Sequence, residues 1–363
     1  MKKEIEKIFR VKREKFLKWW KVNGTLKNRL IYGAGLLATA VVCLGILVRI
    51  PSENFSSIPS TNTPIEEIET YRHPLTGVKI ESAVDVLPQV FGVMVENSAD
   101  AWPLSGIDEA FLVIEAPVEG NIPRFIAFFS EEQNVEKIGP VRSARSYYLD
   151  WNTEFDGIYA HVGGSPDALE EIRFNEVMDL DQFFQSEYFY RDEVARYAPH
   201  NVYTSSVDLR DSIEEMNSRY SHSIPTYGVW IFADGSALST TSSVIHLDWS
   251  NSSGYNVDWI FDPSKNSYER RQGGGVYVAD NVIILETDIG VIAGDDKGRK
   301  EIVTIGSGIA HVFQNGAEIV GTWKKESAEE RLRFFDDNEK EVVLNAGKTW
   351  IEVVDTPDRL SVK

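Results

Sequence analysis

The chain has 363 residues, 37 Lys and Arg against 56 Asp and Glu, and a formal net charge of −19. An apolar fraction of 42% with 11% aromatics is ample for real cores and excludes a disordered acidic chain. So acidic a protein is a poor partner for nucleic acid, and its single cysteine, Cys43, excludes an intrachain disulfide framework.

Charge is unevenly spread along the chain. Residues 1–29 hold eleven Lys/Arg and three Glu, a net +8 that leaves −27 for the rest. Next comes "LIYGAGLLATAVVCLGILV", Leu30–Val48, nineteen residues without a charge, close to the about 20 that cross a bilayer as a helix. Nothing in it is amphipathic, which argues against a buried core helix. We expect a basic cytoplasmic stub over 1–29, a single transmembrane anchor over 30–50 with Trp19 and Trp20 at the interface, and an acidic body outside the cell membrane. A cleaved signal peptide shares this order of segments, but the basic region is long and no small-x-small site follows cleanly. Val41 and Val42 precede Cys43 where lipid attachment calls for small residues. Residues 51–70, rich in Pro, Ser, Thr and Asn, read as a linker.

From 71 to 224 strand and helix patterns alternate, which predicts a mixed α/β domain. "VFGVMVEN", "EAFLVIEAPVEG" and "IPRFIAFF" read as strands, the last two joined by a Gly-Asn turn. Pro140 suits the first position of a helix, and Ala144, Tyr148, Trp151 and Phe155 form an apolar stripe at helical spacing. Arg142 and Arg145 lie off that stripe in its first turns, where the helix dipole disfavours cations, so a negative group is expected beside them. "FDGIYAHV" is a further strand, and "GGSPDALEEI" a turn into a helix with Ser165 as N-cap. A last helix is expected over about 206–218. From 225 to 356 short strands and turns take over, including a hairpin around Asn315-Gly316, and predict a mostly β domain. The fold class expected is thus α+β.

No common catalytic motif is present: there is no H-E-x-x-H, G-x-S-x-G or P-loop, and no metal site or cofactor is expected. What remains is a set of polar residues in the turns of the first domain. Gly163, Gly164 and Ser165 offer backbone N–H groups at a helix start, where anions bind. His161 precedes them, and Arg196, His200 and Asn201 cluster around Pro199. Each has a structural reading beside the functional one: the histidines as hydrogen-bonded turn residues, Arg196 as a partner of nearby acids, Arg124 as a cross-strand partner of Glu115 or Glu119. Jointly, Arg124, Arg142, Arg145, Gly163, Gly164, Ser165, Arg196 and Asn201 suit a phosphate or carboxylate group, since guanidinium forks bind such oxyanions bidentately. If the protein is an enzyme, His161 or His200 is the candidate base. Trp259, Trp323 and Trp350 with Tyr268 and Arg270 form either a sugar-binding face or core.

Several of these stretches, "ENSADAWPLSGIDEAFLVIEAPVEGNIPRF", "GPVRSAR", "HVGGSP", "RYAPHN", "YERR", "GSGIAHVFQNGAEIVGTW" and "GKTWIEV", resemble the YerB-like bacterial envelope proteins, over roughly residues 70–355. The resemblance implies an extracytoplasmic, often lipid-attached protein with an N-terminal mixed domain, a C-terminal β domain and no assigned molecular function. "EFDGIYAHVGGSPDALEEI" is more weakly similar to the LytR-CpsA-Psr phosphotransferases, which pair an arginine with an aspartate where this chain has Ser143 and Ser146. Three functions follow as expectations. The first is a membrane-anchored protein binding an anionic envelope ligand or partner; the second is a transferase or hydrolase of phosphate-linked envelope glycopolymers. The third is a non-catalytic scaffold for cell-wall synthesis proteins.

Overall fold

A computed structural model describes residues 70–363 apart from 195, 223 and 250–252. The expected stub, anchor and linker up to residue 69 lie outside the described residues, among which no helix is long and apolar enough to cross a membrane.

The continuous apolar runs become strands buried on both faces, the environment such runs require. Val90–Val95 (β1), Leu112–Pro117 (β2) and Pro123–Ser130 (β3) are buried at every residue. They belong to a ten-stranded sheet completed by Ile158–His161 (β4), Asp179–Asp181 (β5), Asn281–Glu286 (β6), Gly306–Gln314 (β7), Ala317–Lys325 (β8), Arg333–Phe335 (β9) and Thr349–Val354 (β10). The spatial order is β9-β8-β7-β6-β10-β2-β3-β1-β4-β5. Pairing is parallel for β6/β10, β10/β2, β1/β4 and β4/β5, and antiparallel elsewhere. Seven strands, all but β3, β7 and β9, therefore run the same way, and their carboxyl ends share one edge.

Side chains alternate between two cores, as the pleat dictates. Met94, Ile114, Ile126, Phe128, Ile283 and Ile351 face two helices, Ser146–Thr153 (α1) and Pro166–Phe174 (α2), together with Trp230 and Phe334. Val93, Val95, Phe125, Ala127, Val282 and Ile284 face the other way. There they meet a five-stranded antiparallel sheet made by 275–279, 267–272, 257–262, 244–247 and 360–362. Two short helices, Ser206–Asp211 (α3) and Ile213–Tyr220 (α4), cover the rest of that face. The single helix expected over 206–218 is thus divided at Ser212, whose buried hydroxyl donates to Leu209 O. The hairpin at Asn315-Gly316 forms as expected, both residues at positive φ and Gln314 opposite Ala317. The fold is mixed α+β, mostly β with few helices.

The sheet does not stop at the change of pattern near residue 225. β10, close to the C-terminus, lies between β6 and β2, with Ile351 opposite both Ile114 and Ile283. Buried ions cross the same line. Glu154, just past α1, is fully buried and accepts from Lys325 Nζ at 3.1 Å, Leu332 N at 2.9 Å and the guanidinium of Arg331. That guanidinium lies 4.0 Å above Phe155 and 3.8 Å above Trp230. Expressed alone, residues 225–356 should give no cooperative thermal transition, because β10 loses its partner β2 and Lys325 and Arg331 lose Glu154. Co-expression with residues 70–224 should restore one, whereas a sharp melt of the isolated fragment would show that these pairings are dispensable.

Candidate functional site

The carboxyl edge of the sheet is filled by residues 139–145, and their backbone explains where the arginines go. Glu96 N donates to Pro140 O, Arg142 N to Met94 O, Val162 N to Arg142 O, and Ala144 N to Gly163 O. The stretch is therefore held extended between the ends of β1 and β4. The helix expected from Pro140 starts only at Ser146, with Arg145 at its N-cap position in extended backbone. The apolar stripe is as expected, since Ala144, Tyr148, Trp151 and Phe155 are all buried. Arg142, however, lies four residues before the helix, so the dipole argument for a negative neighbour does not apply to it, whereas Arg145 stands at the helix N-terminus.

Their neighbours are internal acids. Arg145 Nε and Nη2 each donate to Glu119 at 2.8 Å, a bidentate pair, and Glu119 sits in the turn that joins β2 to β3. Arg142 Nε lies 3.3 Å from Glu96 Oε1, near enough for attraction but too far off line to bond, so this buried nitrogen has no hydrogen-bond partner. Glu96 is 4% exposed and also takes His200 Nδ1 at 2.9 Å and Ser98 Oγ at 2.9 Å. Arg124 differs from both. It opens β3 opposite Ala116, is 8% exposed, donates Nη1 to Ser143 O at 2.8 Å, and has no carboxylate within 4.0 Å among the described residues. The expected cross-strand pairing with Glu115 or Glu119 is not made, because Arg270 occupies Glu115 and Arg145 occupies Glu119. Burial, then the charges of Arg145 and Arg142, push the Arg124 pKa down.

The remaining expected residues have structural partners. Gly163 N donates to Asp181 Oδ1 at 2.9 Å and Ser165 N to Ala144 O, so an internal carboxylate already fills the Gly-Gly turn. Gly163 has φ +55° and a Cβ there would come 2.9 Å from Phe183, which leaves no room for a side chain. Gly164 packs against Ala144 and Leu169, and Ser165 caps α2 as expected, accepting from Ala168 N. His161 is fully buried, one ring nitrogen facing Gly163 O at 2.9 Å and the other Asp179 at 2.6 Å, so neither reaches a substrate. His200 is partly exposed, and its second nitrogen lies 4.0 Å from Asp100. Arg196 donates to Tyr203 OH and Pro103 O, and Asn201 accepts from Arg191. Trp259, Trp323, Trp350, Tyr268 and Arg270 are buried and belong to the core, not to an exposed sugar-binding face.

The residue missed from sequence is Glu96, which joins Arg142 to His200; its signal was an acid directly after an apolar strand. Around Arg124 the edge thus holds three guanidiniums and His200 against the carboxylates of Glu96 and Glu119, while Asp181 is taken up by the Gly-Gly turn. No group of three metal-binding side chains occurs among the described residues.

Family models agree with this architecture. Residues 75–219 match the N-terminal domain, and residues 245–351 the C-terminal domain, of a protein of unknown function, DUF3048. The chain belongs to this YerB-like family. It is 28% identical over 337 residues to the Bacillus subtilis (strain 168) protein YerB, named as a lipoprotein, with 90% of this chain and 97% of that one covered. The crystal structure of YerB from Bacillus subtilis superposes with a TM-score of 0.69 at 29% identity, covering 80% of this chain and 99% of that one.

The Arg145–Glu119 pair makes a pH-dependent prediction. Burial alone would raise the Glu119 pKa, but the hydrogen bonds and charge of Arg145 outweigh it and hold the carboxyl below its ordinary 4.5. A depressed acid stabilises the fold above its unfolded pKa and loses that contribution as pH falls. Arg145→Gln should cost about 1 kcal/mol at pH 7, less than an ordinary charged hydrogen bond because the Glu119 side chain is partly open to solvent. The gap between variant and wild type in urea titrations should close below about pH 4. A gap independent of pH would assign the arginine's effect to packing alone.

Proposed function

We propose that the protein is held at the outer face of the cell membrane and that the carboxyl edge of its sheet binds an anionic group, phosphate or carboxylate, through Arg124 and Arg142. The location draws on the naming of YerB as a lipoprotein and on the uncharged run Leu30–Val48 behind a basic stub. The binding reading is carried by one observation: a nearly buried guanidinium, Arg124, has two other guanidiniums near it and no carboxylate of its own. A buried cation without a counter-ion is costly, and an oxyanion seated between Arg124 and Arg142 removes that cost. The bond from Arg124 to Ser143 O orients its fork, and Arg142, whose buried Nε has no hydrogen-bond partner, supplies the second guanidinium. Loops at the carboxyl ends of strands are also where α/β sheets place ligands.

Thermal melts with phosphate, pyrophosphate and acetate test the site. At saturating anion the wild type should gain about 2–3 kcal/mol, while Arg124→Gln should lose that gain without melting lower in buffer, since it removes an uncompensated buried charge. No stabilisation by any of the anions, or equal stabilisation of wild type and variant, would rule the site out. Topology has its own test. Protease added to intact protoplasts should digest the body and leave a small membrane-bound fragment, and Cys43→Ser should not change this; release of the Cys43→Ser protein into the medium would show attachment by lipid instead.

A further inference from the structure

One edge of the ten-stranded sheet is only half closed. β8 runs from Ala317 to Lys325, but its outer neighbour β9 pairs only with Thr322, Trp323 and Lys324. A Cβ at Gly321 would collide with Phe335 O, so the β9 backbone closes tightly on the strand there. One residue later the chain turns away, Asp336 N donating to Lys340 O. Among the described residues no strand pairs with the outer side of 317–320. The two-residue turn at Asn315-Gly316 makes Gln314 and Ala317 a hydrogen-bonded pair, and such pairs alternate along an antiparallel ladder. The N–H and C=O groups of Glu318 and Val320 therefore point away from β7, and among the described residues no backbone group bonds them from that side.

A groove of about 460 Å3 lies along this open half. Its apolar lining is Ile319, Val320, Val342 and Val343, with Val320 53% exposed. The rest of the lining is acidic. Glu318, Asp336, Asp337 and Glu341 share it with a single lysine, Lys340, and three acids remain once Glu341 is paired with Arg333 at 2.5 Å. Glu318 meets His311 Nδ1 at 2.7 Å, Asp336 accepts from the backbone of its own turn, and Asp337 accepts from Asn338. No Lys or Arg side chain lies within 4.0 Å of these three among the described residues. The groove is at the amino end of β8, five strand positions from β3 and Arg124, about 24 Å at the usual strand spacing, so it stands apart from the anion reading above.

We propose that the open half of β8 docks an extended segment of a partner protein in which basic and apolar side chains alternate, added to the sheet as a further strand. Unpaired strand edges are templates for such pairing, and residues directly opposite one another point to the same face. The partner residue opposite Glu318 is then Lys or Arg, and those opposite Ile319 and Val320 are apolar. Such a segment covers the exposed valine and brings the charge that the groove lacks. Charge also decides against two occupants that this protein could supply. Residues 51–69 carry four Glu and no Lys or Arg, and a second copy would bring the same acids to the seam, where like charges repel.

Two end-blocked hexapeptides, KVKVKV and EVEVEV, probe the full chain purified in detergent, with affinity read by fluorescence anisotropy and the place of binding by hydrogen exchange. KVKVKV should bind saturably, at least about tenfold more tightly than EVEVEV, and more weakly as salt rises, and exchange should slow at 317–321. Val320→Pro deletes one outward N–H and no bond to β7, a change that edge strands tolerate. It should weaken KVKVKV by at least about tenfold and leave the circular dichroism spectrum unchanged. Glu318→Gln combined with Asp337→Asn should abolish the preference for the basic peptide. Absence of saturable binding, equal affinity for the two peptides, protection confined to residues outside 317–321, or unaltered binding by a folded Val320→Pro variant would each overturn the proposal. So would binding that appears only when residues 1–29 are deleted, which identifies the basic stub as the occupant, or a dimer that Val320→Pro splits, which identifies a second copy. If Val320→Pro does not fold, the double variant decides the matter, and an undiminished preference for KVKVKV sinks the docking site.

Discussion

Glu115 and Glu352 lie directly opposite one another on adjacent parallel strands, β2 and β10, and neither is exposed to solvent. One guanidinium, that of Arg270, reaches across from the second sheet to Glu115 Oε2 at 2.5 Å and comes within 3.6 Å of Glu352. Asn97 Nδ2 and Trp259 Nε1 donate to the same two acids. Burial, reinforced by the charge of Glu115, raises the Glu352 pKa well above the ordinary carboxylate range. Replacing such a trio by apolar residues is often tolerated, whereas removing a single member strands a charge. What it achieves here is register: the strand from the end of the chain is fixed against the strand from its beginning, and the small sheet is fixed against both.

The carboxyl edge of the sheet inherits that rigidity. Arg124 is placed by β3, Glu96 by the end of β1, and Arg142 by backbone bonds to both β1 and the segment after β4. None of these side chains depends on a long free loop, and sites built on regular elements hold their geometry best.

Much of this was legible in the sequence wherever a local rule decides the outcome. The apolar runs gave way to strands at 90–95, 112–117 and 123–130, Ser165 capped its helix, and Asn315-Gly316 turned its hairpin. The helix at Pro140 failed because the ends of β1 and β4 claim the backbone of 140–144, a demand that no local pattern records. The partners of the arginines were legible only in part. Glu119 was one of the acids near enough in sequence to consider for Arg145, but Glu115 was drawn away by Arg270, from the far half of the chain.

The placement of β10 also dictates an order of events in time. Until residues 349–354 have left the ribosome, β2 has an open edge with unpaired N–H and C=O groups along a wholly buried strand. Everything before it can collapse but cannot close, and pairings of such long sequence separation form slowly. A chain of this design cannot close its sheet until it is nearly complete, and is most vulnerable to edge-to-edge aggregation in that interval. For such a protein, truncation near the C-terminus is more damaging than the few residues lost would suggest.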